Sequence, residues 1–240
     1  MYHVVMKNNL RIASLNLWRF NDWEKRKSLI ASVLKDKNYD VIFFQEVQKD
    51  LSSLSNLNQI DILNKEINYP YIDFSEAMIK TMSKGIPLLT PISHGIGLMS
   101  KFPILNKSII RMSKFPEDTD KRISVIYDIE IDGNVISFIN IHFSNRDDWA
   151  EAHLKELLTQ LDSTKEYIII GDFNIFHLEK YESLYINKYK NSFSFKNYIS
   201  FPKENATFDY VLIPKDYNFV DIETTDGLSD HSMIIVEITK

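Results

Sequence analysis

The fold of this 240-residue chain is decided by the stretch Tyr167-Ile168-Ile169-Ile170-Gly171-Asp172-Phe173-Asn174. Its apolar start predicts a buried strand, which ends in a carboxylate and a carboxamide two residues apart. Side chains at positions i and i+2 of an extended segment point the same way. A carboxylate binds a hard cation and an amide both donates and accepts hydrogen bonds, so the pair suits work on a phosphate or a water molecule. Taken alone, the stretch is explained equally well as a polar turn that caps a core strand.

Other predicted strands carry side chains of the same chemistry at or near an end. Asn16, Glu46 and His142 follow or close a strand, Asp230 and His231 stand directly before one, and Asp209 lies inside one. Each of them alone is typical of a turn. Together they indicate that several strand ends contribute to one site.

The composition limits the domain organisation and the location that can be expected of this chain. The chain has no long Gly/Ser/Pro tract, so we expect one domain over residues 1–240 and, by default, a monomer. No apolar run approaches the roughly 20 residues that a spanning helix needs, so no stable membrane insertion is expected. The first residues carry His3, Lys7 and Arg11 around short apolar patches, which is not a signal-peptide pattern. We therefore expect a cytoplasmic protein, with secretion by way of a leader outside this sequence left open.

The absence of cysteine and the net charge narrow the chemistry further. With no cysteine, the chain has no disulfide, no thiolate nucleophile and no cysteine-ligated zinc, so any metal must be held by oxygen and nitrogen ligands. The formal net charge of -5 argues against broad clamping of a nucleic-acid backbone, although a local basic groove remains compatible with it.

The hydrophobic pattern predicts alternating strands and helices. Asn21 is predicted to cap the first helix, with Glu24 at the capping-box position. Asp132-Gly133 predicts a hairpin between two alternating segments. Residues 69–91 hold three prolines and are predicted to form a strand fragment and then an irregular loop. The remaining predicted elements are strands over 11–17, 40–45, 92–100, 123–131, 135–142 and 167–170 and around Val211 and Ile235, and helices over 21–36, 51–67 and 147–161.

The order of the motifs resembles the endonuclease/exonuclease/phosphatase superfamily, which includes deoxyribonuclease I. The matching motifs span nearly the whole chain: Leu15-Asn16, Gln45-Glu46, Asn140-Ile141-His142, Gly171-Asp172-Phe173-Asn174, Phe208-Asp209-Tyr210 and Ser229-Asp230-His231. The resemblance implies an α/β fold in which two mixed β-sheets pack face to face with helices outside, a four-layer α/β/β/α sandwich. A histidine at position 142 resembles the deoxyribonuclease I, tyrosyl-DNA phosphodiesterase, sphingomyelinase and 5-phosphatase branches. The exonuclease III and abasic-endonuclease branch usually has a tyrosine there, so a role in abasic-site repair is not expected.

The resemblance also implies a role for each matching residue. Glu46 resembles the principal metal ligand, with Asn16 and Asp230 near the metal, which is expected to be Mg²⁺ with Mn²⁺ as a substitute. The catalytic residues implied are His142, Asp172, Asn174, Asp209 and His231, with Asp209 orienting His231 and with Asn174 also binding phosphate. All these strand ends are expected to meet at one edge of the sandwich.

Further predictions concern positions outside these motifs. Arg122 resembles a phosphate-binding arginine, and an exposed strand-start arginine is the alternative. Glu76 resembles the carboxylate that orients the first catalytic histidine, here His142. Trp18, Arg19, Phe20 and Trp149 are candidates for a substrate rim, with ordinary packing as the alternative. The remaining histidines, which have no motif around them, are predicted to be surface or loop residues: His94, His153 and His177.

The function expected from these motifs is Mg²⁺-dependent hydrolysis of a phosphodiester, with nucleic acid favoured as the substrate. The alternative is a phosphoesterase of lipid or inositol head groups, for which the apolar stretch Ile86-Pro87-Leu88-Leu89 is the one membrane-contact candidate. A catalytically inactive binding module is disfavoured because every expected site residue is present.

Overall fold

The computed structural model describes residues 9–36, 38–83 and 85–240. Residues 1–8 lie outside the described residues. They include part of the N-terminal stretch in which no signal peptide is expected. The strands are β1 Leu10–Asn16, β2 Val41–Asp50, β3 Tyr71–Ser83, β4 Ile86–Ser100, β5 Ile104–Arg111, β6 Ile123–Ile131, β7 Asn134–His142, β8 Tyr167–Asp172, β9 Tyr189–Asn191, β10 Asp209–Pro214, β11 Asn218–Thr225 and β12 Met233–Thr239. The α-helices are α1 Trp23–Asp36, α2 Gln59–Ile67, α3 Asp147–Gln160 and α4 Ser192–Phe195, and 3₁₀ turns cover Leu178–Leu184 and Pro202–Glu204.

These strands form two six-stranded mixed sheets. Sheet A has the order β11-β12-β1-β2-β4-β3, and sheet B has the order β5-β6-β7-β8-β10-β9. Each sheet has one parallel pair near its centre, β1 with β2 in sheet A and β7 with β8 in sheet B, and its other pairs are antiparallel. The predicted fold class is confirmed.

The two sheets enclose one apolar core between them. Phe43 of β2 and Phe138 of β7 meet across it, with ring centroids 5.5 Å apart. The same cluster contains inward-facing residues of β1, β4, β6, β8, β10 and β12. Burial of this alternating set supplies the main driving force that holds the sheets face to face.

The outer face of each sheet is covered by helices. On sheet A, α1 and α2 bury Ile30, Leu34 and Leu63 against the outward residues of β1, β2 and β12. On sheet B, α3 buries Leu154 and Leu157 against β7, β8 and β10. The side chains of each central strand therefore alternate between the inter-sheet core and a helix-covered face, which explains their nearly continuous apolar sequences.

The predicted hairpin at Asp132-Gly133 is confirmed. It joins β6 to β7 in antiparallel register, from Ser124 opposite Ile141 to Ile131 opposite Asn134. Both turn residues have positive φ, 51° and 76°, as a two-residue turn between right-twisted strands requires.

The prediction of an irregular loop over residues 69–91 is wrong. The segment forms β3 and the first part of β4, which pair as a long ribbon with bulges after Glu76 and after Lys80. β2 pairs with β4 only from Ile92 onward, so residues 86–91 belong to a two-stranded ribbon. Pro87 and Pro91 are tolerated there because an edge strand has backbone positions that need no ladder hydrogen bond.

The predicted starts of the first two helices are also corrected. α1 begins at Trp23, where the carbonyl of Asp22 accepts the first helical bonds, and not at an Asn21 cap. The helix predicted over 51–67 is confined to Gln59–Ile67, because β2 extends to Asp50 and Asn58 caps α2 through a capping box with Asp61. Strands β5 and β11 and the elements between residues 178 and 204 were not predicted.

In the part of the chain that the structure describes, no helix combines the length and the apolar character needed to cross a bilayer.

Candidate active site

The predicted site residues converge on one small polar cavity of about 140 Å³. It lies between the strand ends of the two sheets. Its lining residues are Asn16, Arg19, Glu46, Asp118, Thr119, Asp120, Arg122, His142, Asn145, Asp172, Asn174, Asp230 and His231. Of the sequence-predicted residues, Asp209 lies directly behind His231, and Glu76 lies elsewhere.

The strand register brings these residues together. In sheet B the parallel pairing of β7 and β8 places His142 opposite Asp172, and the antiparallel β10 places Asp209 opposite Asp172 on the other side. In sheet A, Asn16 ends β1 beside β2. Glu46 stands at an irregularity in the β2–β4 pairing with φ of 53°, a left-handed conformation that is uncommon for a residue other than glycine.

A buried hydrogen-bond bridge beneath the cavity fixes the two sheets relative to each other. The Gln45 Nε2 of sheet A donates to the Asn140 Oδ1 of sheet B at 2.8 Å. The Asn140 Nδ2 donates back to the carbonyls of Phe44 and Gly97, at 3.1 and 2.9 Å. Both bridging side chains are fully buried, so breaking the bridge would leave unpaired polar groups in the core.

Gly171 is required immediately before the central carboxylate. Its φ is +139°, and a Cβ at this position would lie 2.2 Å from the carbonyl oxygen of Ile141. Glycine therefore allows β8 to approach β7 closely at the floor of the site.

The Asp172 carboxylate is the centre of the hydrogen-bond network. Its Oδ2 accepts from the Asn16 Nδ2 at 3.0 Å, and its Oδ1 accepts from the backbone N–H of Asn174 at 2.9 Å. The Nε2 atoms of His142 and His231 lie 3.5 and 3.9 Å from the same Oδ2. Burial raises the pKa of Asp172 to about 7, with His231 opposing and Asp209 adding to that shift. A carboxylate poised near neutrality is suited to accept a proton.

Asp209 and His231 form a buried carboxylate–imidazole pair. The Nδ1 of His231 lies 2.8 Å from the Asp209 Oδ2. Burial lowers the pKa of His231, but the carboxylates of Asp209 and Asp172 overcome it and raise that pKa to about 10. At neutral pH the imidazole is therefore charged, and its Nε2–H is available to donate into the cavity.

The ring of His142 is uncharged, in contrast to that of His231. The Arg122 Nη1 lies 2.9 Å from the His142 Nε2, and because a guanidinium only donates, this ring nitrogen is the acceptor. Burial, reinforced by the positive charge of Arg122, holds the pKa of His142 well below its ordinary value. His142 is therefore a neutral imidazole that fixes the guanidinium of Arg122. Arg122 is itself buried, and its Nε has no hydrogen-bond partner among the described residues.

The Asn174 side chain makes a hydrogen bond within the protein. Its Nδ2 donates to the Phe143 carbonyl at 3.1 Å, which orients the amide at the cavity wall. Its φ of 51° is left-handed, a conformation that asparagine adopts more readily than most residues.

A network of charged side chains forms the other wall of the cavity. The Arg19 guanidinium contacts both carboxylate oxygens of Glu46 at 3.1 Å, and its Nη2 lies 3.1 Å from an Asp120 oxygen. The Lys80 ammonium lies 2.5 Å from the other Asp120 oxygen. Gln59 holds the backbone of Arg19, because its Nε2 donates to the Arg19 carbonyl at 2.7 Å.

The donor set of the cavity fits a hard divalent cation. Glu46, Asp230 and Asn16 all line the cavity, and carboxylate and amide oxygens are the ligands that Mg²⁺ prefers. Burial raises the pKa of Asp230, and the nearby charge of Glu46 raises it further, so a cation between them would relieve their repulsion. The described residues also place a Glu46 oxygen and ring nitrogens of His94 and His142 within 4.8 Å of one another, and Asp172, Asp209 and His231 form a second such group.

The predicted pairing of Glu76 with His142 is corrected by the structure. The Glu76 side chain is exposed, and its carboxylate accepts from the Ser93 hydroxyl at 2.5 Å. Side chains alternate along β3, so Ser75 and Ala77 face inward and Glu76 faces out. The neighbours of His142 are instead Arg122, Asp172 and His94.

Two histidines predicted to be surface or loop residues are buried. His94 is 3% exposed beside the cavity, where burial and the charges of Lys80 and Arg19 lower its pKa to about 3. His153 is fully buried on α3 and contacts the Ser113 carbonyl at 2.8 Å. His177 is partly exposed, in agreement with its prediction as a loop residue.

Three functional candidates lie beyond what the motifs indicated. Asp118 and Asp120, in the loop before β6, hold Arg122 and Arg19 in place, and Asn145 lies on the cavity wall. The spacing Asp118-Thr119-Asp120-Lys121-Arg122 is the one signal that could have indicated them, because alternate residues of an extended loop share a side.

A sequence profile of the Endonuclease/Exonuclease/phosphatase family matches residues 13–231. The chain belongs to this family. The match begins in β1 and ends at His231, so it contains every strand end that forms the cavity. This family member is therefore an enzyme that hydrolyses phosphate esters. Among curated proteins, no match to the sequence was found.

Solved structures show the same fold at low sequence identity. An endonuclease/exonuclease/phosphatase from Beutenbergia cavernae is 15% identical with a TM-score of 0.80, over 97% of this chain and 72% of that one. The human Nocturnin catalytic domain, with a bound sulfate anion, is 17% identical with a TM-score of 0.74, over 99% and 96%. A mannosyl-6-phosphatase from Bacteroides thetaiotaomicron is 16% identical with a TM-score of 0.69, over 95% and 99%.

Proposed function

We propose that this family member is a divalent-metal-dependent phosphodiesterase, that its metal is Mg²⁺ with Mn²⁺ as a substitute, and that its substrate is nucleic acid. The observation that carries the proposal is the pair of histidines on one carboxylate. Asp172 stands between a charged His231 and a neutral His142 that holds Arg122. This arrangement offers a proton acceptor and two fixed cationic donors within one small cavity.

Asp172 is proposed to accept the proton of the attacking water. Its pKa of about 7, raised chiefly by burial, leaves a basic carboxylate near neutral pH. Asn16 and the Asn174 backbone fix its oxygens, so the carboxylate meets the water with little reorganisation.

His231 and Arg122 are proposed to stabilise the phosphoryl group as negative charge develops on it. The imidazolium of His231 donates through Nε2, since Asp209 occupies Nδ1. Because its pKa is about 10, His231 serves at neutral pH as a charged donor and not as the base. Arg122 provides a buried guanidinium, a group suited to a phosphate oxygen; its Nε–H makes no hydrogen bond among the described residues and lies 3.8 Å from an Asp118 oxygen.

Glu46 and Asp230, with Asn16 nearby, are the residues that would hold the cation. When bound, a divalent ion neutralises negative charge on a phosphoryl oxygen. Arg19 shares Glu46, and its ion pair with Asp120 gives the guanidinium a second partner if the cation takes the Glu46 oxygens.

One observation favours the second candidate, a phosphoesterase of lipid or inositol head groups. The β3–β4 ribbon exposes large apolar side chains in the described residues: Ile79 is 50%, Met82 53%, Ile86 70% and Leu89 fully exposed. An exposed apolar surface of this kind is typical of a membrane or protein contact. Lys80 and Leu88 of the ribbon also line the cleft beside Glu46, which places the ribbon next to the cavity.

The proposal is tested by a metal-dependent activity screen. The substrates are single-stranded and duplex DNA, RNA, 5′-tyrosyl DNA, and vesicles containing sphingomyelin or phosphoinositides. Hydrolysis of a nucleic-acid diester should disappear in excess EDTA and return with Mg²⁺ or Mn²⁺. Asp172→Asn is the control for contaminating activity, because it keeps the shape of the side chain and removes the base.

Glu46→Ala sharpens the metal assignment. It should raise the Mg²⁺ concentration needed for half-maximal rate, because the cation loses a carboxylate ligand. Full activity of the wild type in excess EDTA would contradict the metal dependence, and hydrolysis of vesicle lipids alone would favour the second candidate.

A further inference from the structure

An aromatic pocket of about 420 Å³ lies beside the catalytic cavity and has no part in the chemistry described above. Its walls are formed by the rings of Phe176, Phe193, Tyr198 and Tyr210, and the polar groups at its rim include Asn197 and Asn205. No lysine or arginine lines it within the described parts of the chain. Its volume falls in the range of about 300 to 1,000 Å³ that is common for small-molecule sites.

The pocket shares two loops with the catalytic cavity. Phe176 follows Asn174 by two residues in the loop after β8, and Thr207 precedes Asp209 by two residues at the start of β10. Asn174 and Asp209 are paired through Asp172, so the same strand ends position the cavity and the pocket.

A row of rings connects the catalytic histidine to the pocket. The ring of His231 lies 4.9 Å from Phe201, Phe201 lies 5.7 Å from Phe208, and Phe208 lies 6.2 Å from Phe176, measured between centroids. Phe201 and Phe208 therefore lie between the catalytic histidine and Phe176 and link the cavity to the pocket.

The loop presents Phe176 in a fixed way. Its backbone N–H donates to Asp147 of α3 at 3.1 Å, and the next residue, His177, has a left-handed φ of 64° and contacts Glu179 at 2.8 Å. The Phe176 ring is nonetheless 43% exposed. A large apolar ring at the surface, next to a residue with left-handed backbone, indicates a binding role for this loop.

The chemistry of the pocket selects its occupant. Phe193 packs edge to face on Tyr198 and Tyr210, and the Lys180 ammonium lies 5.8 Å from the centre of the Phe176 ring. Aromatic walls with no lysine or arginine among the described lining residues suit a planar aromatic ring whose polar edge can reach amide groups. Bases of single-stranded nucleic acid stack on such side chains. We propose that the aromatic pocket binds the nucleobase next to the scissile phosphate, so that the substrate is a nucleotide diester with an unpaired base. This rests on the proposed phosphodiesterase function of the neighbouring cavity.

The first test measures base-dependent binding without catalysis. Adenosine 5′-monophosphate and ribose 5-phosphate carry the same phosphate, and only the first carries a base. We expect the wild type to bind the nucleotide about tenfold to a hundredfold more tightly than the sugar phosphate in calorimetric titration, as one stacked base provides. Phe176→Ala should remove most of that preference.

The matched control is Phe195→Ala. Phe195 is 50% exposed and packs on Phe219, outside the pocket, so its removal should leave the preference for the nucleotide unchanged. Equal binding of the two phosphates by the wild type, or an unchanged preference in folded Phe176→Ala, would overturn the pocket assignment.

The second test compares two diesters with the same leaving group, thymidine 5′-(p-nitrophenyl phosphate) and methyl p-nitrophenyl phosphate. The ratio of their kcat/KM values should favour the nucleotide ester in the wild type and fall about tenfold or more in Phe176→Ala. If neither diester is hydrolysed while the nucleotide binding preference is present, the phosphodiesterase proposal fails and the pocket stands. If both are hydrolysed at equal rates, the cavity stands and the pocket assignment fails.

Discussion

His142 and His231 are two buried histidines on the same carboxylate, and the structure gives them opposite protonation states. Their Nε2 atoms lie 3.5 and 3.9 Å from the Asp172 Oδ2, and both side chains are less than one-tenth exposed. Burial lowers the pKa of both rings. What differs is the second partner: a guanidinium for His142 and the Asp209 carboxylate for His231.

The partner, and not the residue type or its burial, therefore decides the role of an imidazole in this site. Beside Arg122, a charged ring would face a like charge, so His142 stays neutral and accepts a hydrogen bond. Beside Asp209, the ring gains a proton and becomes a fixed cation. The two histidines therefore deliver two positive groups to the cavity, one as imidazolium and one as the guanidinium that His142 holds.

The largest expected effect comes from removing the charged ring. His231→Ala should lower kcat by about 10²- to 10⁴-fold while the fold is kept, because a transition-state donor is lost. His231→Gln should not restore the rate, since an amide carries no charge. Steady-state kinetics on a phosphodiester, with circular dichroism to check folding, measure both.

A double-mutant cycle with Asp209→Asn tests whether Asp209 acts through His231. Alone it should lose a comparable part of kcat, and combined with His231→Ala it should lose much less than the product of the two losses. Multiplicative losses in a folded double variant would show that Asp209 does not act through His231.

A smaller effect is expected at the neutral ring. His142→Phe removes the acceptor for Arg122 and should lower activity about 10- to 100-fold, as loss of an orienting partner typically does. His142→Gln should recover part of that loss, because the amide oxygen can accept from the guanidinium. Recovery by glutamine at 142 and not at 231 would sharpen the contrast, whereas equal behaviour at both positions would break it.

The smallest effect concerns stability against pH. The raised pKa of His231 contributes stability that is complete below its unfolded pKa near 6.5 and is lost as pH rises toward about 10. The lowered pKa of His142 works in the other direction, so its contribution is present above about pH 6.5 and is lost on acidification. Each contributes a slope of at most about 1.4 kcal/mol per pH unit.

Denaturant unfolding at several pH values separates the two contributions by difference. Relative to the wild type, His231→Gln should flatten the alkaline side between about pH 7 and 10, and His142→Phe the acid side below about pH 6.5. The reverse assignment, with the acid side flattened by His231→Gln, would contradict the protonation states derived from the structure.

The centre of the site could be predicted from the sequence because its residues are fixed by strand ends. Asp172, Asp209 and His142 occupy paired positions in the centre of one sheet. Polar groups that follow an apolar run, or that lie within one in the case of Asp209, were sufficient to indicate them. Periodicity could not predict that Asn16 and Glu46 of sheet A meet the strand ends of sheet B. The order of the motifs predicted it.

Arg19 was a candidate for the rim, but the contacts of the rim could not be predicted because they depend on loops and bulges. Arg19 reaches Glu46 from a turn with left-handed backbone, and Asp120 reaches Lys80 across about 40 positions of sequence. Neither contact follows a helical or strand period. His94 was missed because it lies past the irregular stretch of the ribbon, where the count of inward and outward residues shifts at each bulge.

The most direct test of this account is nuclear magnetic resonance of the histidine rings in the chelator-treated protein. The chain has six histidines, so His142→Gln and His231→Gln can assign the two ring signals. We predict that at pH 7.5 the His231 ring carries protons on both nitrogens and titrates far above 6.5, toward about 10, while the His142 ring carries one proton and does not titrate in the neutral range. A neutral His231 or a charged His142 at pH 7.5 would contradict the division of roles between the two histidines.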